Sequence, residues 1–146
     1  MTTSIDNRID ELISRVRNHG AIAQFSFIPA FPANKTPNPV KKYTVTAENL
    51  SLIEKEDFLG DRAGYRKTGR IYEVKLRLRV YAPERSSGSA LLRASSMLAE
   101  ALDAEDSERL ISGISFSDIG FDTASRTEFR DVFAELNILV TREAAV

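Results

Sequence analysis

The segment from Arg70 to Ala82 constrains the fold more than any other part of the chain. The even-numbered positions are apolar: Tyr72, Val74, Leu76, Leu78, Val80 and Ala82. The odd-numbered positions between them are mostly charged: Glu73, Lys75, Arg77, Arg79 and Tyr81. Such alternation is typical of a β-strand with one buried and one solvent-facing side. At about 3.3 Å per residue the segment would be about 43 Å long, which exceeds the length of a usual strand. We therefore expect part of it to project as an arm.

Apolar residues at helical spacing predict two helices. The first is predicted over about 4–18, from Ile5, Ile9, Leu12, Ile13 and Val16. Ser4 can cap its start, and the Asn18-His19-Gly20 sequence can end it. The second follows a run of serine and glycine at 86–89, and its apolar stripe consists of Leu91, Ala94, Leu98 and Leu102.

Shorter apolar patterns predict four further strands, over about 22–28, 41–54, 111–119 and 128–141. In the second of these, Leu50 and Leu52 have the opposite parity from Val45, which requires a bulge near Glu48 and Asn49. The element order is therefore α-β-β-β-α-β-β. This order predicts a single α+β domain over 1–146, with a mainly antiparallel sheet, a long strand-loop-strand arm and two helices packed on one face.

Two connections stand out by composition. Residues 29–40 contain four of the five prolines, which makes this loop stiff and extended. It can be a plain crossover between strands or a dedicated binding loop. Residues 55–69 contain three glycines and follow neither the helical nor the strand period, so we expect a mobile loop there.

Composition and motifs indicate no catalytic, cofactor or metal site. Lysine plus arginine (20) almost cancel aspartate plus glutamate (21), so no overall charge draws the chain to nucleic acid or to a membrane. Cysteine is absent, and the one histidine, His19, falls at a helix end, where a cation is favoured by the helix dipole. The acidic run at 103–108 lacks the spacing of a calcium loop and is typical of a solvated helix end. No glycine-rich phosphate loop occurs, and no apolar run approaches the roughly 20 residues of a membrane span, so we expect a cytosolic location at synthesis.

The polar side of the long strand is the candidate interaction surface. Together with the residues just before it, this surface consists of Arg62, Tyr65, Arg66, Lys67, Arg70, Lys75, Arg77, Arg79 and Tyr81. Three interpretations are open: a charged contact between identical subunits, a solvated face without a partner, or a nucleic-acid-binding stripe. The near-zero net charge favours the subunit contact over nucleic acid.

Several segments together resemble the tail terminator proteins of long-tailed bacteriophages and prophages. They are the leading helix, Ala30-Phe31-Pro32, the strand-loop-strand arm, the run from Tyr72 to Pro83 that leads into a helix rich in small residues, and the closing segment from Ile114 to Val140. This pattern covers most of the chain. The resemblance implies a homohexameric ring without catalytic activity that caps the tail tube, stops its polymerisation and joins it to the head connector protein.

The same resemblance implies assembly in the bacterial host cytoplasm and a final place in the tail or neck of the virion. DNA would pass through the ring without specific binding, and no cofactor or membrane is implied. Two alternatives are a nucleic-acid-binding module that uses the basic arm, and another neck protein of the head-tail junction.

Overall fold

A computed structural model describes residues 4–22, 24–29, 42–62, 65–83, 88–123 and 126–145; for 4, 21, 29, 55–62, 65–70 and 140–145 it describes the backbone alone. The helices are α1 (Ser4–Arg17) and α2 (Gly88–Glu105), and a short 3-10 turn covers Gly20–Ile22. The strands are β1 (Ser26–Pro29), β2 (Thr44–Arg62), β3 (Tyr65–Tyr81), β4 (Ile111–Phe116), β5 (Gly120–Asp122) and β6 (Thr127–Ala145).

The strands form one six-stranded sheet in the order β1-β2-β3-β6-β4, with β5 also paired to β6. β1 runs parallel to β2, and every other pair is antiparallel. The predicted α+β fold with a mainly antiparallel sheet is therefore confirmed. The short strand β5 lies between the strands predicted over 111–119 and 128–141, where the sequence predicts no strand.

The core lies between the two helices and one side of the sheet, here called the helix side. β3 contributes Val74, Leu76, Leu78 and Val80, and β6 contributes Val132, Ala134, Leu136 and Ile138, all fully or almost fully buried. The helices contribute their predicted stripes, with Leu12, Val16, Leu91, Leu98 and Leu102 fully buried. Each such side chain stabilises the fold by about 1.5–3 kcal/mol. The alternation in β3 therefore determines which side of the sheet the helices cover.

The bulge predicted in the second strand is confirmed. Asn49 pairs with Leu76 and Ser51 with Lys75, so Leu50 is the extra residue on β2. The extra residue keeps Val45 and Leu52 on the helix side, as the change of parity requires.

The prediction of an irregular loop over 55–69 is wrong. β2 continues to Arg62, β3 begins at Tyr65, and the two strands pair along this stretch with a second register shift between Phe58 and Asp61. β6 pairs with the other edge of β3 as far as Ala145, so the arm has three strands where the sequence predicts two. These residues show no strand period in the sequence, but pairing on both edges of β3 holds them in strand geometry.

The remaining boundaries differ by a few residues. The first predicted strand, over 22–28, is a 3-10 turn followed by β1, and Phe25 packs on Tyr43 with ring centroids 5.4 Å apart. In the proline-rich loop predicted over 29–40, residues 30–40 lie outside the described residues.

Candidate interaction surface

The side of the sheet away from the helices, here called the open side, carries the predicted polar row of β3. Lys75, Arg77, Arg79 and Tyr81 lie on it with the same parity. Their neighbours on β2 are Ser51, Glu48, Thr46 and Thr44, and their neighbours on β6 are Glu135, Phe133, Asp131 and Phe129. The row thus lies between hydroxyl and acidic residues on β2 and acidic and aromatic residues on β6.

Arg79 has the most contacts in this row. Its Nε donates to Oδ1 of Asp131 at 2.7 Å, and its Nη2 donates to Oδ2 at 3.0 Å. The guanidinium also lies 3.9 Å from the centre of the Phe129 ring. The hydrogen bonds and the charge of the nearly buried Asp131 raise the pKa of Arg79 above its usual value. Arg79 therefore stays charged, and the two hydrogen bonds fix its orientation against Asp131.

Tyr81 and Phe129 continue the aromatic part of the same surface. Their ring centroids are 6.1 Å apart with the planes tilted by 51°. Burial raises the pKa of the Tyr81 phenol. Gly120 on β5 lies directly beside the Phe129 ring: a Cβ added at this glycine would be 2.6 Å from Cζ of Phe129. The absence of a side chain at Gly120 therefore lets the ring lie flat against β5.

The other two basic residues also contact neighbouring strands. Arg77 forms an ion pair with Glu48 of β2, and Nζ of Lys75 lies 4.9 Å from the centre of the Phe133 ring. Each basic side chain of this row that the structure describes thus has an acidic or aromatic partner within the chain. Such cross-strand pairs stabilise the sheet and reduce the positive potential that nucleic-acid binding requires.

The other five predicted residues, Arg62, Tyr65, Arg66, Lys67 and Arg70, lie at the far end of the β2–β3 hairpin. In the register, Arg62 is opposite Tyr65. Arg66 is opposite Asp61, Lys67 is opposite Glu143 of β6, and Arg70 is opposite Glu56. The backbone therefore brings the nine predicted residues onto one continuous hairpin.

Most of the exposed large apolar side chains lie in two groups that the sequence patterns do not reveal. The group here called the β2 cluster consists of Leu50, Leu52 and Ile53 along β2, with Leu52 on the helix side of the sheet and Ile53 on the open side. The β5 cluster consists of Leu92, Phe116, Ile119 and Phe121 at the opposite edge of the sheet. Soluble monomers rarely expose contiguous apolar patches that have no binding role. In the sequence, Phe121 stands in a polar turn, and a three-residue strand is too short to produce a period.

Two depressions accompany these clusters. A groove of about 200 Å³ lies between α1 and β2 and is lined by Ile9, Asp10, Ile13, Ala47, Glu48, Asn49 and Leu76. A wider depression of about 300 Å³ on the open side includes Ile53, Glu73, Lys75, Glu135 and Asn137. Both are lined by a mixture of apolar and polar residues; in the groove, Ile9, Ile13, Ala47 and Leu76 form the apolar part.

The acidic residues at the end of α2 bind the chain's own groups. Glu105 Oε1 is 2.9 Å from His19 Nδ1, and the carbonyl oxygen of Glu105 accepts from Arg15 Nε at 3.1 Å. Asp106 accepts the backbone N–H groups of Leu110 and Ile111 at 2.9 and 2.8 Å. In the part of the chain that the structure describes, no three His, Cys, Asp or Glu side chains come together as a metal site, and no helix is long and apolar enough to cross a membrane.

Comparison of the sequence with protein-family models and with curated proteins gives no match.

Proposed function

We propose that the chain is a structural assembly protein, and specifically a tail terminator that forms a ring on the end of a phage tail tube. In this role it stops polymerisation of the tube and joins it to the head connector protein. It assembles in the bacterial host cytoplasm and ends in the neck or tail of the virion. No chemical step is needed for this function, only binding surfaces.

The observation that carries the proposal is the extent of the three central strands. Among residues with described side chains, the core ends at Val74 on β3 and Ile138 on β6. Pairing of β3 with β6 continues for seven further residue pairs, from Ile71–Leu139 to Tyr65–Ala145, which is about 23 Å of sheet. A paired three-stranded extension offers two long strand edges and two faces to neighbouring molecules, as an assembly protein needs.

The nucleic-acid alternative has less support. Arg77 and Arg79 are paired with Glu48 and Asp131, and Lys75 lies over an aromatic ring. A stripe that binds phosphates needs basic side chains whose charge is not already neutralised. Another neck protein of the head-tail junction would use the same surfaces, so it differs from the leading proposal only in the identity of the partner.

Light scattering and negative-stain microscopy of the purified chain, alone and with tail tube protein, test the proposal. We expect rings in solution or at tube ends, and tubes of limited length when the chain is present during polymerisation. A strict monomer that neither forms rings nor binds tube ends would refute it. A salt-dependent shift of DNA in the same samples, without rings, would favour the nucleic-acid alternative.

A further inference from the structure

We propose that Phe121 of one copy of the chain inserts into the groove between α1 and β2 of a second copy, giving a head-to-tail contact. This inference rests on the proposed assembly function and identifies the contact that joins its subunits. The partner is a second copy of this chain.

Phe121 is the most exposed of the large apolar side chains that the structure describes, at 60%. It pairs with Glu128 of β6, which puts it on the helix side of the sheet. The rest of the β5 cluster lies on the same side of the sheet. Phe116, at the end of β4, pairs with the core residue Val132, and Ile119 lies beside the start of α2, where a Cβ on Gly88 would be 3.6 Å from its Cδ1. Leu92 is one turn further along the same helix. An aromatic side chain within an apolar rim is the usual centre of a protein–protein contact.

The groove provides a matching site. Ile9 and Ile13 of α1 form one wall, and Ala47 and Leu76 form the apolar part of the sheet beneath it. Its volume of about 200 Å³ suits one aromatic side chain rather than a larger ligand. Leu52, on the same side of the sheet, continues the apolar surface past the bulge and is 52% exposed. Phe121 in the groove would therefore be accompanied by contact between Leu52 and the β5 cluster.

The sheet order indicates why the groove must receive Phe121 from another copy. β2 and β5 lie on opposite sides of the β3–β6 pair, so a chain cannot place its own Phe121 in its own groove. Both features are on the helix side, at opposite edges. A contact between two different patches is heterologous, and it closes into a ring when the rotation between subunits permits.

One pair of opposite charges is also available at the two sites. Asp10 lies on the rim of the groove, and Arg126 lies in the turn between β5 and β6, close to Phe121 in the hairpin. Both side chains are exposed, and neither makes an ion pair within the described residues. Opposite charges at the rim of a contact guide association and select the orientation.

Cysteine pairing tests the contact directly, because the chain contains no cysteine of its own. Asn49→Cys on the groove rim and Thr123→Cys, an exposed residue two positions after Phe121, are purified separately, mixed and oxidised, with a short bis-maleimide in parallel. Phe121 itself is kept in both variants, because its side chain makes the proposed contact. We expect a covalent dimer from the mixture and none from either variant alone, and a ladder of higher species from the double variant. Ala104→Cys, exposed on α2 away from both clusters, is the matched control and should give no product with either. A dimer from Thr123→Cys alone would mean a symmetric contact and would overturn the proposal.

Self-association of Phe121 variants tests this inference separately from the proposed function. Phe121→Ala should weaken self-association tenfold or more in sedimentation, Phe121→Leu should retain most of it, and both should keep the thermal midpoint of the wild type. If Phe121→Ala forms rings normally and the mixture of the two cysteine variants gives no cross-link, the inference is overturned and the assembly function stands. If the mixture of cysteine variants gives the cross-link but the wild-type chain forms no rings and does not bind tubes, the contact is supported and the terminator function is not. Loss of both would overturn both.

Discussion

Replacement of Asp131 by asparagine should destabilise the fold by about 2 kcal/mol. The side chains of Asp131 and Arg79 are 9% and 24% exposed, so their pair lies between a fully buried one and a surface one. Breaking a buried pair costs about 3–5 kcal/mol, whereas an exposed pair contributes about 0–1 kcal/mol. Asparagine keeps one acceptor but turns an N–H group toward a guanidinium that can only donate. For a chain of this length, about 2 kcal/mol lowers the thermal midpoint by about 4–8 °C.

Urea unfolding followed by circular dichroism, with thermal unfolding in parallel, measures this effect. Glu48→Gln is the matched control, because it removes the acid from the more exposed Arg77–Glu48 pair and should cost less than about 1 kcal/mol. The Arg79→Met, Asp131→Leu double variant should recover much of the loss, since apolar replacement of a buried pair is often close to neutral. A free energy of unfolding for Asp131→Asn within 0.5 kcal/mol of the wild type, on the order of ordinary surface changes, would refute the argument.

Three further predictions follow from single contacts. Gly120→Ala should cost about 1–3 kcal/mol, because its Cβ would overlap the Phe129 ring, and near-ultraviolet circular dichroism should report the displaced aromatic residues. Tyr81 has a raised pKa in the folded chain, so its stabilising effect is complete below pH 10 and is lost as pH rises through the folded value. Urea unfolding between pH 9 and 11 should therefore show a steeper loss for the wild type than for Tyr81→Phe. Ser95→Ala should cost about 1–2 kcal/mol in the same assay, because the buried Ser95 Oγ accepts from Arg130 at 3.0 Å.

The fold class could be predicted because the apolar periods are long. Thirteen residues of alternation in the Arg70–Ala82 segment and four turns of amphipathic α1 leave little ambiguity about which sides are buried. The bulge at Leu50 could also be predicted, since only an inserted residue reconciles the two parities of β2. The strands over 55–70 could not, because acidic residues and glycine there have low strand propensity and depend on pairing with neighbours.

The candidate surface was predictable only in part. The parity of Lys75, Arg77 and Arg79 follows from the alternation, but their partners depend on register. Asp131 is 52 residues from Arg79 in the chain, and no local pattern connects them. The exposure of Phe121 was also hidden, because it results from the position of a very short strand at the edge of the sheet. Short edge strands are recognised through their partners rather than through their own sequence.

The position of β3 between β2 and β6 has a consequence for folding during synthesis. β2 precedes β3 directly and can pair with it as a hairpin, whereas β6 is made only after α2, β4 and β5. At about 5–20 residues per second, the roughly 60 residues between the end of β3 and the end of β6 take several seconds to emerge. During that interval one edge of a 17-residue strand lacks its final partner. Non-local pairing of this kind slows folding and favours aggregation, so the yield of folded chain should depend on chaperones that protect this edge.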